Sequence, residues 1–201
     1  GIEEAGGDPP QRAPWAGSVY LAIAISGMTA LSAEVIWTRL LSLLLGGTVY
    51  AFSLILAIFL IGLGVGSAAG AALGRSGISP RILFGGCQLL LGGAIAWAGA
   101  MLSRSLPFWP VDPSLARNPW ILLQLDWVRV AWTVLPGACL WGASFPLALA
   151  AIAGRGHDSA RLVGGLYAAN TLGAIVGALG TSTLLVAWVG TAQAQRILVG
   201  C

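Results

Sequence analysis

Charged side chains interrupt two of the apolar stretches of this sequence. Glu34 and Arg39 lie in the segment SAEVIWTRLL, and Asp126 and Arg129 lie near the start of a later apolar run. An unpaired ionisable side chain in hydrocarbon costs on the order of 3 kcal/mol, so each of these groups requires a partner or a route to water. The four residues are therefore the candidate intramembrane charge cluster of the chain.

The spacing within each pair predicts different partners. Glu34 and Arg39 are five residues apart, which places them about 140° apart around a helix and disfavours a bond between them. Asp126 and Arg129 are three residues apart and share one helix face. A cluster in which the first pair meets the second would satisfy all four. Three roles stay open: a clasp that fixes helix packing, side chains that reach the membrane surface because the first run bends near Ser32, or a substrate or proton pathway.

The elements that must position these charges are long apolar runs. The 201 residues are 57% hydrophobic and 8% charged, whereas about a quarter of an ordinary soluble domain is charged. About 20 apolar residues cross a bilayer core. The sequence therefore predicts an all-α polytopic transmembrane helical bundle, residues 17–201, after a flexible polar N-terminal tail, residues 1–16. It has five complete spans and the start of a sixth, so we expect polypeptide beyond Cys201; the spans are 19–45, 49–73, 82–102, 121–153 and 162–189.

The arginines predict the orientation of the bundle and limit its partners. With the N-terminus in the cytoplasm, five loop or tail arginines lie inside and three lie outside, in agreement with the positive-inside rule. The expected location is a bacterial inner membrane. The net charge of +3 is too small and too scattered for nucleic acid to be a partner. The inside set is Arg12, Arg75, Arg81, Arg155 and Arg161, and the outside set is Arg104, Arg117 and Arg196.

Glycines recur at four-residue spacing in the second and fifth runs. Residues at this spacing share one helix face, and small residues there let two backbones approach closely in a membrane. These glycine zippers are predicted to make tight helix contacts, either within the chain or across a dimer. The positions are Gly62, Gly66, Gly70 and Gly74 in the second run, and Gly173 and Gly177 in the fifth.

The remaining polar residues predict packing rather than catalysis. Asn170, with Tyr167 three residues earlier, is expected to hydrogen-bond across helices, with ligand binding as the alternative. The cysteines are far apart and have no CxxC pair, so they are interpreted as buried thiols rather than as a metal site. No catalytic residue, metal ligand or cofactor is predicted. The cysteines are Cys87, Cys139 and Cys201.

Three blocks of the sequence carry a family resemblance. They are SGMTALSAEVIWTRLL and its continuation to Gly70, GASFPLALAAIA from Gly142, and GGLYAANTLGAIVGALG from Gly164. Together they resemble the membrane domain of the multi-pass spermidine-synthase-like proteins, in which a major-facilitator-like helical region is fused to a polyamine-synthase-like domain. The resemblance places Glu34, Trp37, Thr38 and Arg39 in a first-span signature and Tyr167 to Asn170 in a later one.

The resemblance implies a role that is not catalytic in these residues. A soluble aminopropyltransferase-like domain would lie beyond the membrane region, so this chain is expected to act as its anchor and scaffold. Two alternatives stay open. One is a polyamine or small-solute transporter in which Glu34 and Asp126 bind a cation, and the other is an accessory subunit docked through its glycine faces. The expected partners are lipid, other membrane helices or a membrane complex, and the synthase-like domain.

Overall fold

The described part of the chain is helical. A computed structural model describes residues 16–109, 118–153 and 159–185, with residues 193, 195, 197 and 198. Within these described residues, five helices are long and apolar enough to cross a membrane. The all-α bundle is therefore confirmed, and the chain is a multi-pass membrane protein. The helices are α1 (Ala16–Leu45), α2 (Val49–Leu73), α3 (Pro80–Ala100), α4 (Pro119–Ile152) and α5 (Ser159–Leu179).

Local sequence sets the starts of these helices. The hydroxyl of Thr48 accepts a hydrogen bond of 3.2 Å from the N–H of Ala51, which caps α2, and Asn118 accepts one of 3.0 Å from the N–H of Trp120 at the start of α4. Such caps satisfy N–H groups that lack a helical partner. Gly46 has a φ of +95°, which glycine adopts readily. The turn between α1 and α2 can therefore be short.

The third span continues beyond its predicted end. α3 continues as a π-helix, Met101–Ser105, and a 3₁₀ helix, Leu106–Phe108, so the loop predicted from residue 103 begins only after Phe108. Proline is tolerated at Pro107 because it lies in the first turn of a helix. α5 is followed by another π-helix, Gly180–Leu185. The predicted end of the fifth span, the polar tail before residue 16 and most of the predicted sixth span lie outside the described residues.

The bundle is built from two parallel helix pairs. α2 packs along α4, and α1 packs along α5. Gly62 of α2 faces Ala138 of α4, and Gly70 faces Ala143, so residue numbers rise together along this pair. α3 packs against α4 in the opposite direction. In that antiparallel contact, the indole of Trp97 donates a hydrogen bond of 3.1 Å to the carbonyl of Trp132.

An aromatic cluster joins the two pairs at the centre. The ring of Trp37 on α1 lies 5.5 Å from that of Trp141 on α4, and Phe59 of α2 lies 6.0 Å from Trp141. Trp37 is fully buried, and its indole N–H donates a hydrogen bond of 2.9 Å to Oε1 of Gln195. A buried indole N–H needs such a partner. The core therefore connects α1, α2, α4 and the segment that carries Gln195.

Candidate functional site

The α2–α4 interface depends on glycines. A Cβ added at Gly66 would collide with the carbonyl of Cys139, and one at Gly70 would lie 2.7 Å from the carbonyl oxygen of Ala143. Both glycines are buried. Gly74 fits more loosely, because a Cβ there would lie 3.3 Å from the Cβ of Ala150. The structure thus places the glycine repeat of α2 against the backbone of α4, within one chain.

The α1–α5 interface follows the same principle. Cβ atoms added at Gly173 and Gly177 would collide with the carbonyls of Ala24 and Met28. The hydroxyl of Ser32 on α1 also donates a hydrogen bond of 3.3 Å to the carbonyl of Gly177. Close backbone approach of this kind holds helices together where lipid removes the hydrophobic driving force. Both glycine patterns therefore serve contacts inside the chain.

Sequence reasoning missed the partner glycines. A Cβ at Gly142 of α4 would collide with the carbonyl of Leu63, and one at Gly27 of α1 would collide with the carbonyl of Asn170. Gly142 lies four residues after Ala138, so small-residue spacing on α4 was a signal that could have identified it. Gly27 has no small residue four positions away on either side. Its role follows only from the packing.

Asp126 and Arg129 form an ion pair on α4. Nη1 of Arg129 lies 3.7 Å from Oδ1 of Asp126, with side-chain exposures of 14% and 19%. Nε of Arg129 is buried and lacks a hydrogen-bond partner in the described part of the chain. Asp126 also lines an open cavity of about 400 Å³ with Tyr50 and Trp120. The two charges therefore pair within one helix, as their spacing predicts, although Nε of Arg129 has no partner among the described residues.

Glu34 and Arg39 lie elsewhere, in a lateral cavity of about 430 Å³. Glu34 is half-buried and Arg39 is exposed, and neither forms an ion pair with a described residue. α1 runs unbroken through Ser32, where the sequence left a bend open. The cavity is lined by one stripe of α1 together with α2 and the π-helix that follows α5; the lining residues are Leu31, Glu34, Val35, Thr38, Arg39, Phe52 and Ser182.

The structure does not bring the two charged pairs into one cluster. Trp37 of α1 contacts Gly137 of α4, and Arg129 lies eight residues before Gly137. Along these antiparallel helices Arg129 lies farther than Arg39 toward the turn between α1 and α2, and Asp126 lines a different cavity from Glu34 and Arg39. The sequence could not show this offset, because it depends on how α1 and α4 align. The two pairs are therefore separate features of the same half of the bundle.

Tyr167 and Asn170 are neighbours on α5 but have different surroundings. Tyr167 is 65% exposed, and its ring makes an edge contact with Phe145 at 6.4 Å. Asn170 is half-buried and lies in the α1–α5 interface, where its Oδ1 would be 2.8 Å from a Cβ at Gly27. The hydrogen bonds of the described residues do not include one from its side chain. Its predicted bond across helices stays a prediction.

A polar contact between α3 and α4 was not predicted. Nε2 of Gln88 donates a hydrogen bond of 3.1 Å to the hydroxyl of Ser144, which itself donates to the carbonyl of Leu140 at 2.9 Å. The thiol of Cys87 donates to the same carbonyl at 3.3 Å. The signal in the sequence that could have indicated it was a glutamine inside an apolar run. The prediction of interhelical contacts had relied on charged residues, Asn170 and glycines. These polar side chains therefore hold α3 against α4.

Two of the three cysteines lie in the described helices. Among the residues that the structure describes, no group of three or more His, Cys, Asp or Glu side chains could hold a metal ion. Cys87 is buried and Cys139 is half-buried, whereas Cys201 lies outside the described residues.

Comparison with models of protein families, with curated proteins and with solved structures finds no match to the chain. The class is thus defined by its fold, as a multi-pass helical membrane protein.

Proposed function

We propose that this chain is a non-catalytic membrane module that anchors and scaffolds a soluble domain or a partner protein. The observation that carries the proposal is the pair of glycine interfaces, α2–α4 and α1–α5. In both, a backbone carbonyl occupies the space that a side chain would need. Where backbones touch directly, the helices have few other ways to pack, because protein interiors are close-packed and compress little. A fixed frame suits a scaffold.

The chain is further proposed to be the membrane part of a spermidine-synthase-like protein in a bacterial inner membrane. Its support is the resemblance of the three sequence blocks, and a synthase-like soluble domain would be the anchored partner. The proposed orientation has the N-terminus in the cytoplasm. Arg75 follows α2, and Arg81 and Arg161 lie in the first turns of α3 and α5, so three arginines lie at one end of the bundle. This end would face the cytoplasm by the positive-inside rule.

A transporter of polyamines or other small solutes is the second candidate. The observation that favours it is the lateral cavity of about 430 Å³, which Glu34 and Arg39 line inside a predicted span. A carboxylate at membrane depth is a common feature of ion and proton pathways. In this function, Glu34 would bind the cationic solute.

Uptake into proteoliposomes separates the two functions. The purified chain is reconstituted, and accumulation of radiolabelled spermidine is compared with that in empty liposomes, for the wild type and for Glu34→Gln. A scaffold gives the same accumulation in all three samples. Uptake above empty liposomes that Glu34→Gln abolishes, while its unfolding midpoint stays at the wild-type value, would overturn the scaffold proposal in favour of transport.

A further inference from the structure

One side of α1 has the pattern of a coiled-coil interface. Five residues of this helix line the lateral cavity: Leu31, Glu34, Val35, Thr38 and Arg39. Their spacings of three, one, three and one match heptad positions d, g, a, d and e. We call these five residues the charged stripe of α1. Ser42 and Leu45 occupy the next a and d positions, and Leu31 and Leu45 also pack in part against the core of their own chain.

The two charges occupy the positions that pair between helices. In two parallel helices, a g residue on one lies opposite the e residue five positions later on the other, and such pairs set partner and orientation. Glu34 and Arg39 are separated by five residues. The spacing that prevents a bond within one helix therefore favours a bond between two. Neither side chain has another ion-pair partner among the described residues.

We infer that the charged stripe of α1 binds a second copy of this chain. Two copies inserted into one membrane in the same orientation have parallel α1 helices. A two-fold axis along the membrane normal then places Glu34 of each copy opposite Arg39 of the other, which gives two equivalent ion pairs. Such an interface uses the same surface on both subunits, and it must be self-complementary. A stripe with one acidic and one basic residue at this spacing meets that requirement.

The surroundings of the stripe are compatible with this contact. Phe52 and Ser182 flank it, and the cavity of about 430 Å³ leaves room for apolar side chains of the second copy. Arg39 is exposed, and an exposed guanidinium can reach across to a neighbouring helix. The stripe is separate from the glycines that form the α2–α4 and α1–α5 interfaces. The inference is therefore independent of the proposed anchoring function.

Cysteine cross-linking tests the geometry of the contact. In a background with Cys87, Cys139 and Cys201 replaced by alanine, Thr38→Cys and Val35→Cys place thiols at d and a, which face their own counterparts in a parallel pair. We expect oxidation in native membranes to give at least about tenfold more cross-linked dimer than the matched control Ile61→Cys, which is 51% exposed on α2. Equal yields at all three positions would overturn the inference.

Charge exchange tests the ion pairs themselves. Glu34→Arg or Arg39→Glu alone places like charges opposite each other and should lower the cross-linking yield of Thr38→Cys about tenfold. The double variant Glu34→Arg/Arg39→Glu restores both pairs and should restore the yield. Glu34→Gln and Arg39→Gln serve as milder substitutes if a reversal unfolds the chain, which its unfolding midpoint reports. A double variant that stays as low as the single ones contradicts reciprocal pairing.

Discussion

The glycines of α2 (Gly62, Gly66, Gly70 and Gly74) and the charged stripe of α1 differ in how they are covered. Gly66 has no side chain, and α4 of the same chain therefore lies directly against its backbone. Glu34 and Arg39 keep long ionic side chains at a lateral cavity where no described residue pairs with them. The first face is complete within one chain. The second has no ion-pair partner among the described residues, and it is the surface that we propose binds a second copy.

The ion pair on α4 sharpens this contrast. Asp126 and Arg129 are three residues apart and meet on one helix, whereas Glu34 and Arg39 are five residues apart and do not meet. Residues three or four apart are neighbours on a helix surface. A difference of two positions in spacing therefore separates a pair that meets on one helix from a pair that does not.

Gly66→Leu should give the largest loss of stability. Its side chain would displace the carbonyl of Cys139, and overpacking of this kind costs about 3 kcal/mol or more. Gly64→Leu is the matched control, because nothing lies within 4 Å of a Cβ there, and it should cause no loss of stability, since leucine favours a helix more than glycine does. Unfolding by titration with sodium dodecyl sulfate in mixed micelles measures both. Equal losses at the two positions would show that the α2–α4 interface is not as close as described.

Asp126→Asn should destabilise the bundle by about 2 kcal/mol. The change leaves the 14%-exposed side chain of Arg129 without a carboxylate in a membrane span. Replacing both partners with apolar residues of similar size, as in Asp126→Leu/Arg129→Met, should recover most of the loss. The same titration measures the two variants. If the double variant is no more stable than Asp126→Asn, the pair is not self-contained.

Trp37→Phe tests the connection between the aromatic cluster and the segment that carries Gln195. The loss of the 2.9 Å hydrogen bond should contribute about 1 kcal/mol to the destabilisation. A double-mutant cycle with Gln195→Leu isolates this contribution from the change in ring volume. Additive effects of the two substitutions would mean that the indole and the amide do not interact.

Ser32→Ala should have the smallest effect. It removes the 3.3 Å hydrogen bond to the carbonyl of Gly177, and bonds between membrane helices contribute about 0.6 kcal/mol on average. Ser103→Ala is a useful comparison, because its hydroxyl bonds within its own helix to the carbonyl of Gly99. A larger loss from Ser103→Ala than from Ser32→Ala would contradict the importance assigned to the α1–α5 interface.

The sequence predicted much of the fold because its signals are local. The predicted second span, 49–73, coincides with α2, since apolar runs report the length of a membrane helix directly. The helical continuation from α3 to Phe108 was missed because Pro107 and its neighbours suggest a loop, and irregular helical turns at Leu106–Phe108 have no strong local signal. Composition therefore indicates where helices exist better than where they end.

The candidate site was less predictable because it depends on alignment between helices. The spacing of Asp126 and Arg129 indicated their shared face, but the offset between this pair and Arg39 arises from the contact of Trp37 with Gly137. Likewise, the glycines of α2 were evident from their repeat, whereas Gly27 was not. Periodicity along one helix identifies a face, and only packing identifies what that face meets.

The central claim, that the two glycine-built helix pairs form a fixed frame, is tested most directly by single-molecule fluorescence resonance energy transfer. Dyes on Ser76→Cys, after α2, and on Arg161→Cys, at the start of α5, report the distance between the two pairs in nanodiscs that hold one chain each, with the native cysteines replaced. The account predicts one narrow population that spermidine does not shift. Two populations, or a shift on adding spermidine, would contradict a fixed frame and favour a moving transporter.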